Sequence, residues 1–225
     1  MPDPRVRTVA VGRAVEIAGP KDRTTRTASA KSPVEGSVVV HPEHLEGDEQ
    51  ADLENHGGPD KAVYAYADED VAWWRGELGR DVDPQTFGQN LTTTGLDLRS
   101  VVVGERWRIG TAEFEVAQPR IPCFKLGLHS GDPTMPRRFI AAVRPGAYLR
   151  VTTTGRVAAG DRVEVLDRPA HGVSLAEVFT IYHHERDRAA TLLDVPQLAP
   201  MYHRWARERL RAPAERHRPD VGEGV

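Results

Sequence analysis

The chain has 225 residues, of which 39% are hydrophobic and 28% charged, a composition that fits a folded globular protein and excludes a wholly disordered one. A net charge of −3 argues against a protein that binds nucleic acid or anionic membranes over its whole surface. The single cysteine, Cys123, excludes an intrachain disulfide and a multi-cysteine zinc site. Because the sequence has no apolar run of ~20 residues and starts with a polar segment, we predict a cytoplasmic protein without a transmembrane helix.

Short strands separated by glycine and proline dominate the first two thirds of the chain. Residues 6–17 are rich in β-forming residues, and further strands are predicted over 36–40, 61–67, 87–94, 107–109, 112–117, 147–153 and 162–166. Helices are predicted over 68–78, where apolar residues recur at helical spacing, and over 136–143. This close spacing of short strands indicates a mainly β, β-barrel-like domain with interspersed helices.

The pattern changes after residue 168. Ser174 and Glu177 form a capping box, which marks the start of a helix, and we predict helices over 178–183, 187–193 and 200–210. We therefore divide the chain into a domain of residues 1–168, a small three-helix unit of residues 169–213 and a flexible tail of residues 214–225.

The strongest candidate for a functional site is the segment QPRIPCFK, residues 118–125. Pro119 and Pro122 stiffen this segment, because each fixes its φ angle. Arg120 and Lys125 place a cation on either side of Cys123, and positive neighbours favour the thiolate, which is the nucleophile and the metal ligand. The alternative is a buried, unreactive cysteine in a turn.

A histidine beside paired glycines forms the second candidate site, NHGGPDK, residues 55–61. The glycines let a ligand approach the main chain, and His56 adds a group that titrates near neutral pH. In FGQNL, residues 87–91, Gly88 permits a similarly close approach, and Asn90 offers an amide. Each segment also has an ordinary structural explanation, the first as a plain turn and the second as the entrance to a strand.

The segment TTRTASAKS, residues 24–32, combines two cations with several hydroxyl groups. Arg26, Lys31 and Ser32 belong to this segment, and such a composition suits a phosphate. It equally suits a polar surface loop.

Taken together, these motifs resemble the MOSC domain family, which is named for the C-terminal domain of molybdenum cofactor sulfurases, and in particular its YiiM-like subgroup. The resemblance extends over about residues 31–165 and is carried by AKSPVEG, QADLENHGGPDKAVYAY, FGQNL, QPRIPCFKL and GAYLRV. Residues 174–210 look like the three-helix appendage of the subgroup. One departure is Gln89, which stands where the family commonly has glutamate in a Gly-Glu-Asn triplet, so an acidic role at this position is in doubt.

The resemblance implies a domain that binds a molybdenum–molybdopterin cofactor. Cys123 would ligate molybdenum as a soft thiolate, with His56 near the metal as a second catalytic residue. The cofactor-binding residues would be Lys31, Ser32, Arg120, Asn90, Gly88 and Arg26.

The resemblance also implies an activity, the reduction of N-hydroxylated compounds such as N-hydroxylated purine bases and amidoxime-like molecules. Because the chain has no flavin or nicotinamide motif, the electrons would come from a separate flavoprotein reductase. The three-helix unit, whose last helix is basic, would cap the domain or dock this acidic partner. No nucleic acid or membrane partner is expected, and a homodimer is left open. Two other functions fit the same thiol: a sulfur carrier with a persulfide at Cys123, and a non-catalytic module that binds or carries the cofactor.

Overall fold

The computed structural model of the protein describes residues 3–19, 24–51 and 57–211. In these ranges the strands are β1 Arg5–Val11, β2 Val15–Ala18, β3 Thr24–Thr27, β4 Ser32–Pro33, β5 Ser37–Val40, β6 Val63–Ala67, β7 Leu91–Thr94, β8 Arg106–Ile109, β9 Ala112–Gln118, β10 Ala147–Thr153, β11 Gly155–Ala158 and β12 Val163–Asp167. The α-helices are α1 Asp68–Leu78, α2 Phe124–Ser130, α3 Met135–Ala142, α4 Leu175–His183 and α5 Pro200–Arg211, and 3-10 helices cover Pro59–Lys61, Pro84–Phe87 and Arg186–Asp194.

Eight strands form one curled sheet in the order β12-β8-β9-β10-β6-β7-β1-β4. Neighbouring strands are antiparallel except β6 and β7, which run parallel and are connected through α1. Two further pairs, β5 with β11 and β2 with β3, lie outside this sheet. The predicted class, a mainly β, barrel-like domain with interspersed helices, is confirmed.

The alternation of apolar and polar residues explains which face of the sheet is buried. In β8, Trp107 and Ile109 are buried, whereas Arg106 and Arg108, which alternate with them along the strand, are exposed. The two arginines bind Glu113 of β9 across the strand pair, at 2.8 and 2.9 Å. Because side chains of a strand point alternately to opposite faces, the apolar set packs inward while the ion pairs stay in solvent.

A second apolar cluster covers one face of β6 with aromatic rings, the face that carries Tyr64 and Tyr66. Trp74 of α1 is fully buried and donates a hydrogen bond from its indole nitrogen to the Tyr66 hydroxyl at 2.8 Å. Phe87 and Phe139 stack on the same rings, and Leu126 of α2 belongs to this cluster. The predicted helix over residues 68–78 is confirmed, and it ends at Gly79 in the left-handed conformation.

The C-terminal helices share the core of the sheet. Ser174 accepts a hydrogen bond from the Glu177 backbone amide at 3.1 Å, as the capping box predicts. Leu175 and Val178 of α4 and Tyr202 of α5 are completely buried in the same cluster as the strands. The middle helix, predicted over residues 187–193, is a 3-10 helix. The domain boundaries at residues 168 and 213 stay predictions, and the tail 214–225 lies outside the described residues.

Several elements differ from the sequence-based expectation. The β-rich segment 6–17 is two strands, because the chain breaks between Gly12 and Ala14 to contact the loop before β4. The strand expected from residue 87 begins at residue 91, after a 3-10 helix. Helix α2 and strands β3, β4 and β11 were not predicted, since all are short. In the described part of the chain, no helix has both the length and the apolar character that crossing a bilayer requires.

One histidine of α4 predicts a pH dependence of stability. His183 packs against the rings of Phe179 and Tyr182, and its Nε2 atom is buried without a hydrogen-bond partner among the described residues. Burial, followed by the charges of His184 and Arg186, lowers the pKa of His183 from 6.5 to about 4. Because the unfolded chain then binds a proton that the folded protein does not, folding stability falls as the pH drops from 6.5 towards 4.

We expect this histidine to contribute a loss of about 1 kcal/mol in the free energy of unfolding between pH 7 and pH 5. Urea unfolding at both pH values measures it. His183→Leu should flatten the dependence by this amount, whereas the exposed control His44→Gln should leave it as in the wild type. Equal pH dependence in His183→Leu and the wild type contradicts the assignment.

Candidate functional site

The candidate site lies where the ends of several central strands meet. Gln118 at the end of β9 pairs with Tyr148 of β10, Tyr148 pairs with Tyr64 of β6, and Leu91 at the start of β7 pairs with Ala65 of β6. Strand β1 ends on the far side of β7 and pairs there with β4. The loops that leave these strand ends therefore surround one polar cleft.

Cys123 stands at the mouth of this cleft. The loop after β9 carries it to the position just before α2, and its side chain is half-buried. Cys123 lines the polar cleft on one side and an apolar groove along α2 on the other. The stiff loop predicted from Pro119 and Pro122 is confirmed, although the helix that follows it was not expected.

Arg120 is held against the floor of the cleft by two contacts. Its guanidinium donates a hydrogen bond to the Phe87 carbonyl oxygen, and it lies 5.1 Å from the centroid of the Tyr64 ring. A guanidinium over an aromatic ring is attracted to the partial negative charge on the face of the ring. These contacts fix the cation in the cleft beside Cys123, which lines it too.

Lys31 is paired with a carboxylate that the sequence analysis did not single out. Its ammonium group forms an ion pair with Asp48, and the two side chains are only 8% and 4% exposed. Burial lowers the pKa of Lys31, the carboxylate of Asp48 opposes this effect, and the nearby charge of Arg120 adds to it. The lysine and the arginine line the same cleft.

The same carboxylate binds Asn90 and the end of β1. Asp48 accepts hydrogen bonds from the Gly12 backbone amide at 2.8 Å and from the Asn90 side-chain amide at 2.9 Å. Asn90 in turn accepts a hydrogen bond from the Tyr64 backbone amide at 3.0 Å. The side chain of Asn90 therefore connects β1, β6 and β7, and its second amide proton goes to the Ala10 carbonyl.

Two tyrosines line the cleft from β6 and β10. The Tyr64 hydroxyl donates a hydrogen bond to the Pro145 carbonyl at 2.9 Å, and its ring lies 4.9 Å from that of Tyr148. Burial raises the pKa of both hydroxyls above the ordinary value. Both phenols therefore keep their protons at neutral pH, so they are neutral hydrogen-bond groups.

The described part of the cleft carries more positive than negative charge. Its cations are Lys31, Lys61, Arg120 and Lys125, and its carboxylates are Asp48 and Glu49. These residues enclose a cavity of about 90 Å³, which is room for several water molecules or one phosphate-sized anion. The arrangement can hold an anion next to a thiol.

Five of the predicted site residues line this cleft: Cys123, Lys31, Arg120, Asn90 and Gly88. Two others do not, because Ser32 is exposed in β4, and Arg26 points to the surface near Glu49, at 4.0 Å. His56 lies outside the described residues. The functional assignment of all eight residues stays a prediction.

Glycine is needed at position 88 for a visible reason. Gly88 has a φ of +64°, and a Cβ atom there would lie 3.0 Å from the Ser29 carbonyl oxygen. The turn after the 3-10 helix thereby packs against the loop that carries Lys31.

Gln89, which departs from the family pattern, lies inside the protein and is not among the residues lining the cleft. Its side-chain amide donates hydrogen bonds to the Pro84 carbonyl at 2.6 Å and to the Thr92 hydroxyl at 2.9 Å. A glutamate carboxylate could not donate both bonds, so the amide suits this position.

The sequence analysis missed Asp48, Lys61, Tyr64 and Tyr148 as cleft residues. Lys61, Tyr64 and Tyr148 lie inside quoted motifs but carry no chemistry that those motifs single out. Asp48 lies in an acidic segment, HPEHLEGDEQ, that looks like a surface loop. Among the described residues, no three side chains of His, Cys, Asp or Glu come close enough together to hold a metal ion.

Comparison with known proteins identifies the family. The family model for the MOSC domain matches residues 52–164. The chain is 36% identical over 179 residues to the uncharacterized protein YflK of Bacillus subtilis, covering 80% of this chain and 81% of that protein. The chain therefore belongs to the MOSC domain family, as the sequence motifs predict.

Within the family, the chain is of the YiiM type. It is 32% identical to Protein YiiM of Escherichia coli, covering 81% of this chain and 84% of that protein. The crystal structure of YiiM from Geobacillus stearothermophilus superposes with a TM-score of 0.77 at 29% identity, covering 92% of this chain and 99% of the other. The chain is also 31% identical to a Gibberella moniliformis protein named reductase, covering 83% of this chain and 34% of that longer protein.

The buried carboxylate gives a test of how the cleft is held together. Asp48→Ala leaves Lys31 without its counter-ion and removes an acceptor from Gly12 and Asn90. Breaking a buried pair in this way costs about 3 kcal/mol or more, so the free energy of unfolding in urea should fall by at least that amount.

Glu49→Ala is the matched control, because Glu49 is the next residue in the chain and its side chain is 47% exposed. This substitution should lower the free energy of unfolding by less than about 1 kcal/mol. Replacing both partners, in Lys31→Met/Asp48→Leu, should cost less than Asp48→Ala alone, since no buried charge is then unpaired. If Asp48→Ala and Glu49→Ala were equally stable, the carboxylate would not have this role.

Proposed function

We propose that the cleft beside Cys123 binds a molybdenum–molybdopterin cofactor and that the protein reduces N-hydroxylated compounds. The observation that carries the proposal is that a thiol and two fixed cations, Arg120 and Lys31, line the same small cleft. Three separate parts of the sequence supply these groups. Membership of the MOSC family supports the cofactor, since this domain is associated with it in general.

The donor set suits the two ends of such a cofactor. A thiolate at Cys123 is a soft ligand of the kind that suits a metal also held by sulfur. Lys31 and Arg120 would hold the phosphate, since guanidinium groups bind phosphate oxygens in pairs and both residues line the cleft. The volume of the described cleft is sufficient for that anion. Gly88 lines the same cleft and, as a glycine, places no side chain in it.

Reduction of an N-hydroxylated compound breaks the N–O bond, consumes two electrons and two protons, and releases water. When bound, the cofactor supplies the two-electron redox couple for this step. The protein's part is to hold the anionic end of the cofactor and to orient the substrate beside Cys123. Tyr148 keeps its phenolic proton, because burial raises its pKa, and so offers a neutral hydrogen-bond donor at the cleft.

A separate flavoprotein reductase would deliver the electrons. The name of the Gibberella moniliformis relative, reductase, supports a redox role, and this chain corresponds to about a third of that protein. Helix α5 offers a basic surface for an acidic partner, through the exposed side chains of Arg204, Arg207, Arg209 and Arg211. Charge attraction of this kind speeds association and weakens with salt.

Replacing the thiol tests the proposal directly. We expect Cys123→Ala to fold as the wild type but to lose most of its molybdenum and its activity towards N-hydroxylated compounds, because a methyl group cannot ligate a metal. Mass spectrometry of the metal, fluorescence of the oxidised pterin and turnover with a chemical reductant measure the three quantities.

Unchanged metal content and turnover in Cys123→Ala would contradict the site assignment. A wild-type protein that holds no molybdenum but carries a persulfide on Cys123 would favour the sulfur carrier instead. A protein that retains the cofactor but reduces no N-hydroxylated compound with any electron donor would favour the non-catalytic module.

The two fixed cations give a second test. Arg120→Ala and Lys31→Ala should each weaken cofactor retention by about 1.5–3 kcal/mol, or roughly 10- to 150-fold, the range for hydrogen bonds to charged groups. Pterin remaining after gel filtration measures the loss. Arg108→Ala, which removes an exposed arginine of β8, is the control and should retain the cofactor fully. Full retention in the Arg120 and Lys31 variants would exclude both residues from the site.

A further inference from the structure

A groove along α2 also borders Cys123, and it is lined by apolar residues, whereas the cleft is lined mainly by charged and polar ones. Its walls are Pro122, Phe124, Leu128, Pro133 and Pro136, and two glycines complete its lining. None of the described residues that line it is charged. Cys123 also lines this groove. The thiol is thus shared between a cationic cleft and an apolar groove.

Helix geometry explains why the groove is apolar and open. Leu126 faces inward and is buried in the aromatic cluster. Phe124 and Leu128 are four residues apart, so they lie together on the opposite, outer face of α2. They are 48% and 39% exposed. The other large apolar side chains that are exposed in the described chain are Val15, Val165, Leu193 and Leu210, each on a different element.

We infer that this groove binds the planar aromatic or apolar ring of the substrate, with the N-hydroxyl group directed to Cys123. The inference rests on the proposed function and assigns the residues that recognise the body of that substrate. Phe124 and Leu128 are then specificity-determining residues, which contact the ring rather than the reacting atoms.

Size and charge favour this occupant over two others. The volume of the groove, about 530 Å³, is in the range of small-molecule pockets, ~300–1,000 Å³. A protein partner needs ~800 Å² of contact on its side, which two exposed apolar residues do not supply. The anionic cofactor needs cations, and these line the cleft instead of the groove.

A pair of substrates with the same reacting group separates ring binding from chemistry. With the cofactor-loaded enzyme, Leu128→Ala and Phe124→Ala should each raise KM for benzamidoxime about five- to tenfold, the effect of losing a few methylene contacts. The kcat should stay within twofold, and KM for acetamidoxime, which has a methyl group in place of the ring, should change less than twofold. Leu210→Ala, an exposed leucine of α5, is the control and should behave as the wild type.

Direct binding provides a readout that does not depend on turnover. Titration of 4-fluorobenzamidoxime followed by ¹⁹F NMR should show a dissociation constant that rises five- to tenfold in both variants, while molybdenum content stays unchanged. If the wild type holds no molybdenum but the ring still binds at Phe124 and Leu128, the subsite stands and the proposed function fails.

Three outcomes would overturn the inference. The first is wild-type binding and wild-type KM in both variants. The second is no binding of the fluorinated probe to the wild type. The third is loss of molybdenum from Leu128→Ala or Phe124→Ala in protein that remains folded. That result would mean that the groove binds the cofactor instead of the substrate ring.

Discussion

The buried carboxylate of Asp48 joins parts of the chain that are far apart in sequence. It pairs with Lys31, accepts from the end of β1 at Gly12, and binds the amide of Asn90, which itself connects β1, β6 and β7. A charge this deeply buried is tolerated only when it is paired and hydrogen-bonded. All of these strand ends must therefore meet correctly before the carboxylate is satisfied, and the shape of the cleft follows from that condition.

Cys123 owes its setting to two different kinds of packing. On one side, Arg120 lies over the Tyr64 ring and is bound to a backbone carbonyl, so a positive charge is fixed in the cleft. On the other side, burial of Leu126 turns the outer face of α2 towards solvent. One thiol thus borders a polar anion site and an apolar groove, which is an arrangement suited to a charged cofactor and an uncharged ring.

Local patterns predicted the long elements and the family well. The helix over residues 68–78 and the strand over 147–153 have the bounds expected, since each carries a full apolar periodicity. Short pieces such as β3, β4 and α2 were missed, because two to seven residues hold too little periodicity to be recognised. Five of the eight predicted site residues line the cleft, and four of them belong to the segments FGQNL and QPRIPCFK, with their glycine, prolines and cysteine, whereas Lys31 comes from the polar segment TTRTASAKS.

The family, the mainly β class and the segment that presents Cys123 could be predicted, because they depend on residues close together along the chain. The folded structure was needed to show that Asp48 neutralises Lys31, that Asn90 connects three strands, and that Gln89 lies in the interior away from the cleft. The hydrogen bonds of Asp48 and Asn90 join residues 17 to 80 positions apart. Their partners are chosen by the register of the sheet, which no local pattern of residues encodes.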